Sequence, residues 1–313
     1  MSGTVEPPRR TSGSTARTRA QAKLNLFLRV LAREASGYHQ IETLFCRLEI
    51  GDDVVVRTNV RGRSLTCTGD AIPPEGLGPI ERNLAWRAAE AYAAATGWPN
   101  DWAIDIDKRI PVGGGLGGGS ADGAAVLRCL NALAPEPLSG DALLSLAAAL
   151  GADVPFLATD APLALAWGRG ERMLKLPALD TREVALVAFP FGVVTRDAYG
   201  WLDQVRDAVG PAATAFARDD LATWAGVARS AHNDFESVVA ARVPEIATTL
   251  AALRSTIAAG RDPDAFALLA GSGATVFLLA ATLPAGDLGA HGVRSRTLRT
   301  RTADRVVAVE VSA

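Results

Sequence analysis

Residues 111–120 read Pro-Val-Gly-Gly-Gly-Leu-Gly-Gly-Gly-Ser, six glycines wedged between an alternating, strand-like segment and a strongly helical one. Glycine has no Cβ and tolerates φ > 0, so consecutive backbone N–H groups here can turn toward one anion, and the following helix adds its positive N-terminal end. The run is a candidate phosphate cradle, and a chain that carries it is expected to handle a nucleotide. Gly113-x-Gly115-x-x-Gly118 satisfies the dinucleotide-fold spacing, but its context does not. That fold needs a hydrophobic strand feeding straight into the glycines and an acid about twenty residues on. Here Lys108-Arg109-Ile110-Pro111 intervenes, Pro111 would interrupt a buried strand, and Asp141 opens a helix instead of ending a strand. No Gly-Lys-Ser/Thr follows the turn, which excludes a P-loop. A flexible linker would be Ser-rich and would not sit between two regular elements.

With 313 residues the chain has room for two domains. Its formal charge is −2 and no Lys/Arg patch stands out, so the expected ligand is a small molecule and not nucleic acid. Cys46, Cys67 and Cys129 are odd in number and fit no paired metal spacing, which predicts buried thiols in a reducing cytoplasm, with neither a disulfide frame nor a zinc site. The apolar stretch around Leu143 to Leu150 is far shorter than the roughly 18 residues of a membrane span, so no membrane is expected. The expected assembly is a monomer or weak homodimer. Only three of the 32 basic residues are lysines, Lys23, Lys108 and Lys175. Against that bias a lysine marks a place where a compact ammonium is wanted.

Residues 1–19 are rich in Pro, Arg, Ser and Thr with the single acid Glu6, lack the apolar block of a secretory signal, and are expected to be a disordered tail. From Ala22 to Val30 apolar residues alternate, which places Lys23, Asn25 and Arg29 together on the other face of one strand. Strands are predicted at 41–50, 53–59, 102–107 and 163–167, and helices at 83–96, 120–133 and 141–150, the second capped by Ser120. The second half should hold a strand at 184–189, a mostly helical stretch over 197–259, a further segment at 266–269, a strand at 276–279, and a last strand at 306–311. A second glycine turn, Gly271-Ser272-Gly273-Ala274-Thr275, precedes one of these strands. Strands and helices mix without a βαβ rhythm, which argues for an α+β fold.

Five segments stand out together: Ala22-Lys23-Leu24-Asn25-Leu26, Gly37-Tyr38-His39, Pro111 to Ser120, Gly151-Ala152-Asp153-Val154-Pro155, and Gly271 to Thr275. Together they resemble the galactokinase, homoserine kinase, mevalonate kinase and phosphomevalonate kinase (GHMP) family over roughly residues 20–313. The resemblance implies a two-domain α+β fold: an N-terminal ATP-binding domain like ribosomal protein S5 domain 2 (20–170) and a ferredoxin-like C-terminal domain (171–313), with the active site between them. It implies ATP and Mg²⁺ as cofactors. Pro111, Gly113, Gly114, Gly115, Leu116, Gly117, Gly118, Gly119 and Ser120 would bind ATP, and Ser120 would contact Mg²⁺ or serve only as a helix cap.

The AKLNL, GYH and GADVP strings match the family branch that phosphorylates the C2 hydroxyl of the methylerythritol moiety of a cytidyl diphosphate substrate, in non-mevalonate isoprenoid precursor synthesis. In that branch Asp153 would accept the hydroxyl proton, with Lys23 beside it holding it ionised and offsetting charge on the transferred group. Asn25 would contact the polyol, Tyr38 would stack on cytosine, and His39 would hydrogen-bond its edge. Tyr199 or Trp201 would close the stack, while Gly271, Ser272, Gly273 and Thr275 would approach phosphates and substrate from the other domain. Each has a plainer account: Asp153 as a turn aspartate before proline, Tyr38-His39 as a solvated turn, Tyr199 or Trp201 as a core aromatic, and Gly271–Thr275 as a glycine turn without ligand. Two positions depart from the pattern: Ser36 stands where an aspartate usually precedes GYH, and Gly123 where alanine is usual.

Other readings predict other sequences. A sibling kinase acting on homoserine, mevalonate or a sugar should lack GYH. A ligand-binding regulator on the same fold should have lost Lys23 or Asp153, and a dinucleotide oxidoreductase should retain NAD instead of ATP.

Overall fold

The computed structural model describes residues 14–35, 37–205 and 217–312. Two long antiparallel strands, β1 (Thr15–Arg33) and β2 (His39–Arg57), form the spine of the larger sheet. β1 starts well before Ala22, so residues 15–19, expected in the tail, are paired strand. Residues 1–13 of that tail and Ser36 lie outside the described residues. β2 runs unbroken where two strands were expected, because Asp52 is fully buried and its carboxylate is matched by the Lys108 ammonium and by the backbone N–H groups of Arg109 and Ile110.

After β3 (Arg63–Thr68), α1 (Leu84–Thr96) is capped by the Asn83 side chain, which accepts from Ala85 N, and stops at Gly97. Such a cap contributes about 1 kcal/mol. β4 (Trp102–Asp107) alternates buried and half-buried residues and delivers the chain to the glycine run. α2 (Gly118–Leu133) begins two residues before the predicted start: Gly117, at φ 71°, holds the N-cap position, so Ser120 lies inside the first turn and is not the cap. At Gly123 a Cβ would stand only 3.1 Å from the Leu84 carbonyl oxygen, so α1 and α2 meet closely there. α3 (Gly140–Leu150), capped by Ser139, and the short α4 (Val154–Ala158) follow, then the hairpin β5 (Leu163–Gly168) and β6 (Arg172–Leu176).

The remainder supplies the second sheet with its helices and returns two strands to the first: β7 (Glu183–Ala188), α5 (Thr195–Val205), α6 (Trp224–Ser230), β8 (His232–Asn233), α7 (Asp234–Ala240) and α8 (Pro244–Ala259), then β9 (Phe266–Leu269), β10 (Val276–Ala280), β11 (Arg296–Arg301) and β12 (Glu310–Ser312). The first sheet has the order β12-β1-β2-β4-β3, with β5 also on β2, β6 on β5 and β8 on β1; the second is antiparallel, in the order β11-β7-β10-β9. β11 is Arg-Thr-Leu-Arg-Thr-Arg, an edge strand whose charges hide it from a hydrophobic pattern. The strand expected at 306–311 is reduced to β12. Before it, Val307 and Ala308 are held by side chains: Thr18 Oγ1 donates to both carbonyls and Gln21 Oε1 accepts from Val307 N.

One core lies between the first sheet and α1 to α4 and also takes in one face of the smaller sheet, with Leu186 and Phe277, and Trp224 of α6; a second lies between the other face of the smaller sheet and α5, α7 and α8. Leu28, Val30 and Ile41, from the far end of the β1–β2 hairpin, belong to the second core. The hairpin therefore contributes to both cores, and the cleft forms beside it.

Candidate active site

A cleft of about 1410 Å³ is lined by the glycine loop, the β1–β2 hairpin, the start of α4, α5 and the second glycine turn. Lys23 and Asn25 line it together, since their stretch of β1 pairs with β2 without interruption. A bulge then follows between Asn25 and Phe27, which inverts the facing of the residues up to the next irregularity at Val30/Ala32. Leu28, and not Arg29, continues the cleft wall, while Arg29 turns to Glu42, 3.9 Å away.

Lys23 is buried. Its Nζ donates to Asn25 Oδ1 at 2.8 Å and to the Gly115 carbonyl at 2.9 Å, and lies 3.3 Å from Asp153 Oδ2. Asn25 in turn donates from Nδ2 to Thr43 Oγ1, which donates to the Phe27 carbonyl. Both ends of the Asn25 amide are thus committed inside the protein, where they aim the Lys23 ammonium. Asp153 sits at the N-cap position of α4 and its side chain keeps 28% of its surface exposed. A partly open carboxylate 3.3 Å from a buried ammonium can accept a proton from a bound hydroxyl while the cation offsets negative charge nearby.

The two glycine turns pack backbone against backbone. Gly115 has φ 77°, and a Cβ there would meet the Ala270 carbonyl oxygen at 1.9 Å; one at Gly271 would meet the Gly115 oxygen at 3.1 Å and Lys23 Nζ at 3.4 Å. Thr275 N donates to the Gly114 carbonyl, and Lys23 N to that of Leu116. This docking corrects part of the expected substrate set. Gly271 and Ser272 line the cleft, whereas Gly273 faces Leu269 and Val193, and Thr275 is buried against Gly114. Those two residues hold the loops together because the turn must reverse within the interface to feed β10. Pro111, Gly113, Gly114, Gly115, Leu116, Gly117, Gly118, Gly119 and Ser120 all line the cleft.

Just before the loop, Lys108 Nζ lies between Asp52 and Asp122, donating to Asp122 Oδ2 at 2.6 Å. One buried ammonium faces two carboxyl groups. Burial first, and the Asp52 charge after it, push the Asp122 carboxyl up to about 8, against the opposing pull of Lys108. Lysine scarcity singled out Lys108, but its two partners come from β2 and α2, and no sequence spacing joins them.

At the other end of the cleft Tyr38 is 60% exposed, with the Arg169 guanidinium 4.2 Å from its ring centroid and Glu34 holding Arg169. His39 stacks on Tyr199 with centroids 4.4 Å apart and planes 19° from parallel, and its Nε2 lies 2.8 Å from Asp203 Oδ1. Tyr199 also meets Phe235 edge-on; burial, then the nearby Asp153 charge, push its phenol up to about 12. Trp201 does not line the cleft. It packs under Arg242, since two residues along a helix turn a side chain to the opposite face. Arg169 and Asp203 are contributions the sequence reading missed.

Residues 83–160 match the family model of the GHMP kinases N terminal domain. The crystal structure of a homoserine kinase from Cytophaga hutchinsonii superposes with TM-score 0.63 at 15% identity, covering 98% of this chain and all of that one, a likeness of fold. A 4-diphosphocytidyl-2-C-methyl-D-erythritol kinase from Anaeromyxobacter sp. (strain K) is 39% identical over 90% of both chains, and one from Mycobacterium tuberculosis is 37% identical over 91% of this chain and 89% of its own. A crystal structure of 4-(cytidine 5'-diphospho)-2C-methyl-D-erythritol kinase superposes with TM-score 0.67 at 29% identity, covering 91% of this chain and 98% of that one. The chain belongs to the GHMP kinases and, within them, to the 4-diphosphocytidyl-2-C-methyl-D-erythritol kinase family.

Proposed function

We propose that the chain transfers the γ-phosphoryl group of ATP to the C2 hydroxyl of 4-diphosphocytidyl-2-C-methyl-D-erythritol, a step of non-mevalonate isoprenoid precursor synthesis. The observation that carries this reading is the Lys23–Asp153 pair, 3.3 Å apart beside a glycine loop, in a chain that keeps the Gly37-Tyr38-His39 segment on the same cleft. Phosphoryl transfer needs positioning and charge neutralisation more than covalent help. Asp153 accepts the hydroxyl proton. Lys23, aimed by Asn25 and Gly115, stabilises the carboxylate and the charge gathering on the transferred group. The glycine-loop N–H groups and the first turn of α2 cradle the ATP phosphates, and Tyr38 and His39 take the cytosine.

Mg²⁺ fits as an ion that arrives on ATP. Among the described residues no group of three or more His, Cys, Asp and Glu forms a cage, and Ser120, freed from capping, offers one hydroxyl at the loop. The bound ion would neutralise phosphate charge. We also propose the two-domain division near residue 170, with β6, β8 and β12 of the second part returning to pair with the first sheet.

The test is product analysis. Purified protein, Mg-ATP and the cytidyl substrate should give a new phosphomonoester resonance in ³¹P NMR, coupled to the methylerythritol carbons at C2. Phosphate appearing on any other carbon, or only as free inorganic phosphate, would overturn the assignment.

A further inference from the structure

We propose that Asp203 is a positioning residue that fixes the tautomer of His39 and thereby makes the cleft prefer a pyrimidine with an exocyclic amino group, cytosine, over uracil. The proposal rests on the cytidyl-substrate reading above and adds the element that enforces it. Arg33 and His39 are directly opposite each other at the turn end of the β1–β2 hairpin. From α5, Asp203 reaches both: Oδ1 is 2.8 Å from His39 Nε2 and Oδ2 is 3.5 Å from Arg33 Nη1. A carboxylate only accepts hydrogen bonds, so Nε2 carries the proton, and in the neutral ring Nδ1 is then left with a lone pair.

Among the described residues Nδ1 has no hydrogen-bond partner, and His39 is one of the residues that line the cleft. Nor can the ring readily exchange its two nitrogens: rotation about χ2 would sweep it through Tyr199, stacked 4.4 Å away and itself packed on Phe235. The side chain that reads the base therefore presents an acceptor of fixed direction. Cytosine offers it an amino hydrogen at C4, whereas uracil places a carbonyl oxygen there, and acceptor would face acceptor. A buried polar site discriminates strongly when the wrong ligand leaves a group unpaired.

The experiment compares wild type, Asp203→Ala and Asp203→Asn with the cytidine and uridine forms of the diphosphomethylerythritol substrate. Histidine ¹⁵N NMR of the same proteins reads the tautomer, the His39 signal being identified by its loss in His39→Gln. The wild-type ring should show a protonated Nε2 and a bare Nδ1. Asp203→Ala should raise KM for the cytidine form about tenfold and lower the cytidine-over-uridine ratio of kcat/KM about tenfold, with kcat and KM for ATP unchanged. Asp203→Asn, whose amide oxygen still accepts from Nε2, should keep most of the preference. The opposite tautomer in wild type, an unchanged ratio in Asp203→Ala, or equal rises in both KM values would each overturn the proposal. Absence of wild-type turnover with either form would overturn the activity reading and the base preference with it, while the tautomer would still be decided by NMR.

Discussion

Lys23 Nζ stands 3.3 Å from Asp153 Oδ2, one residue from the middle of β1 and the other from the start of α4, and the same ammonium is held by Asn25 and by the Gly115 carbonyl of the phosphate loop. A single buried cation thus ties the Asp153 carboxylate to the glycine loop.

Replacing Asp153 by Asn should leave the thermal melt unchanged, because its side chain is partly exposed and serves as no helix cap. The same change should lower kcat by about 10² to 10⁴. Steady-state kinetics on the folded variant check this, and a wild-type rate would remove Asp153 from the proton-accepting role.

Gly115→Ala should damage both stability and ATP binding. The residue sits at φ 77°, which costs a side-chain-bearing residue about 1–2 kcal/mol, and the new Cβ would overlap the Ala270 carbonyl. Melting temperature should drop by several degrees and KM for ATP should rise about tenfold, as the two turns are forced apart. A variant with wild-type melting and KM would show that this docking does not shape the loop.

The glycine loop and the two members of the Lys23–Asp153 pair were legible in the sequence because each depends on local residue chemistry: a glycine run before a helix, a scarce lysine on an alternating strand, an aspartate before proline. What could not be read depends on partners far apart in the chain. Asp203 reaches His39 only because α5 lies across the hairpin end, and Lys108 finds Asp52 and Asp122 only once β2, β4 and α2 have packed. Bulges defeat periodicity in the same way. Arg29 has the right spacing to face the cleft, and one extra residue in the ladder at Asn25/Phe27 turns it away. β11 was missed because an edge strand rich in arginine has no apolar face to display.

Tyr38→Ala should raise KM for the cytidyl substrate about tenfold, loss of base stacking being worth about 1–3 kcal/mol, and leave KM for ATP alone. The ring is 60% exposed, so stability should hardly change. Equal effects on both KM values would sink the cytosine assignment.

The Asp52–Lys108–Asp122 cluster should make stability depend on pH. With its carboxyl pushed up to about 8, folded Asp122 keeps a proton that the unfolded chain, titrating at its ordinary 3.8, has already released. The native state therefore binds more protons between those values, and unfolding free energy falls as pH rises through that window, the full contribution being present only below it. Urea midpoints at about pH 5 and about pH 8 should show this loss in wild type and a flatter profile in Asp122→Asn. An identical pH dependence in the variant would contradict the assignment.

The most direct measurement of the central claim is ADP release by the purified protein with Mg-ATP and 4-diphosphocytidyl-2-C-methyl-D-erythritol, run beside mevalonate and homoserine. Turnover with the cytidyl substrate alone is the predicted result. Turnover with mevalonate or homoserine, or with none of the three, would contradict it and show that the Tyr38–His39 end of the cleft does not select a cytidyl substrate.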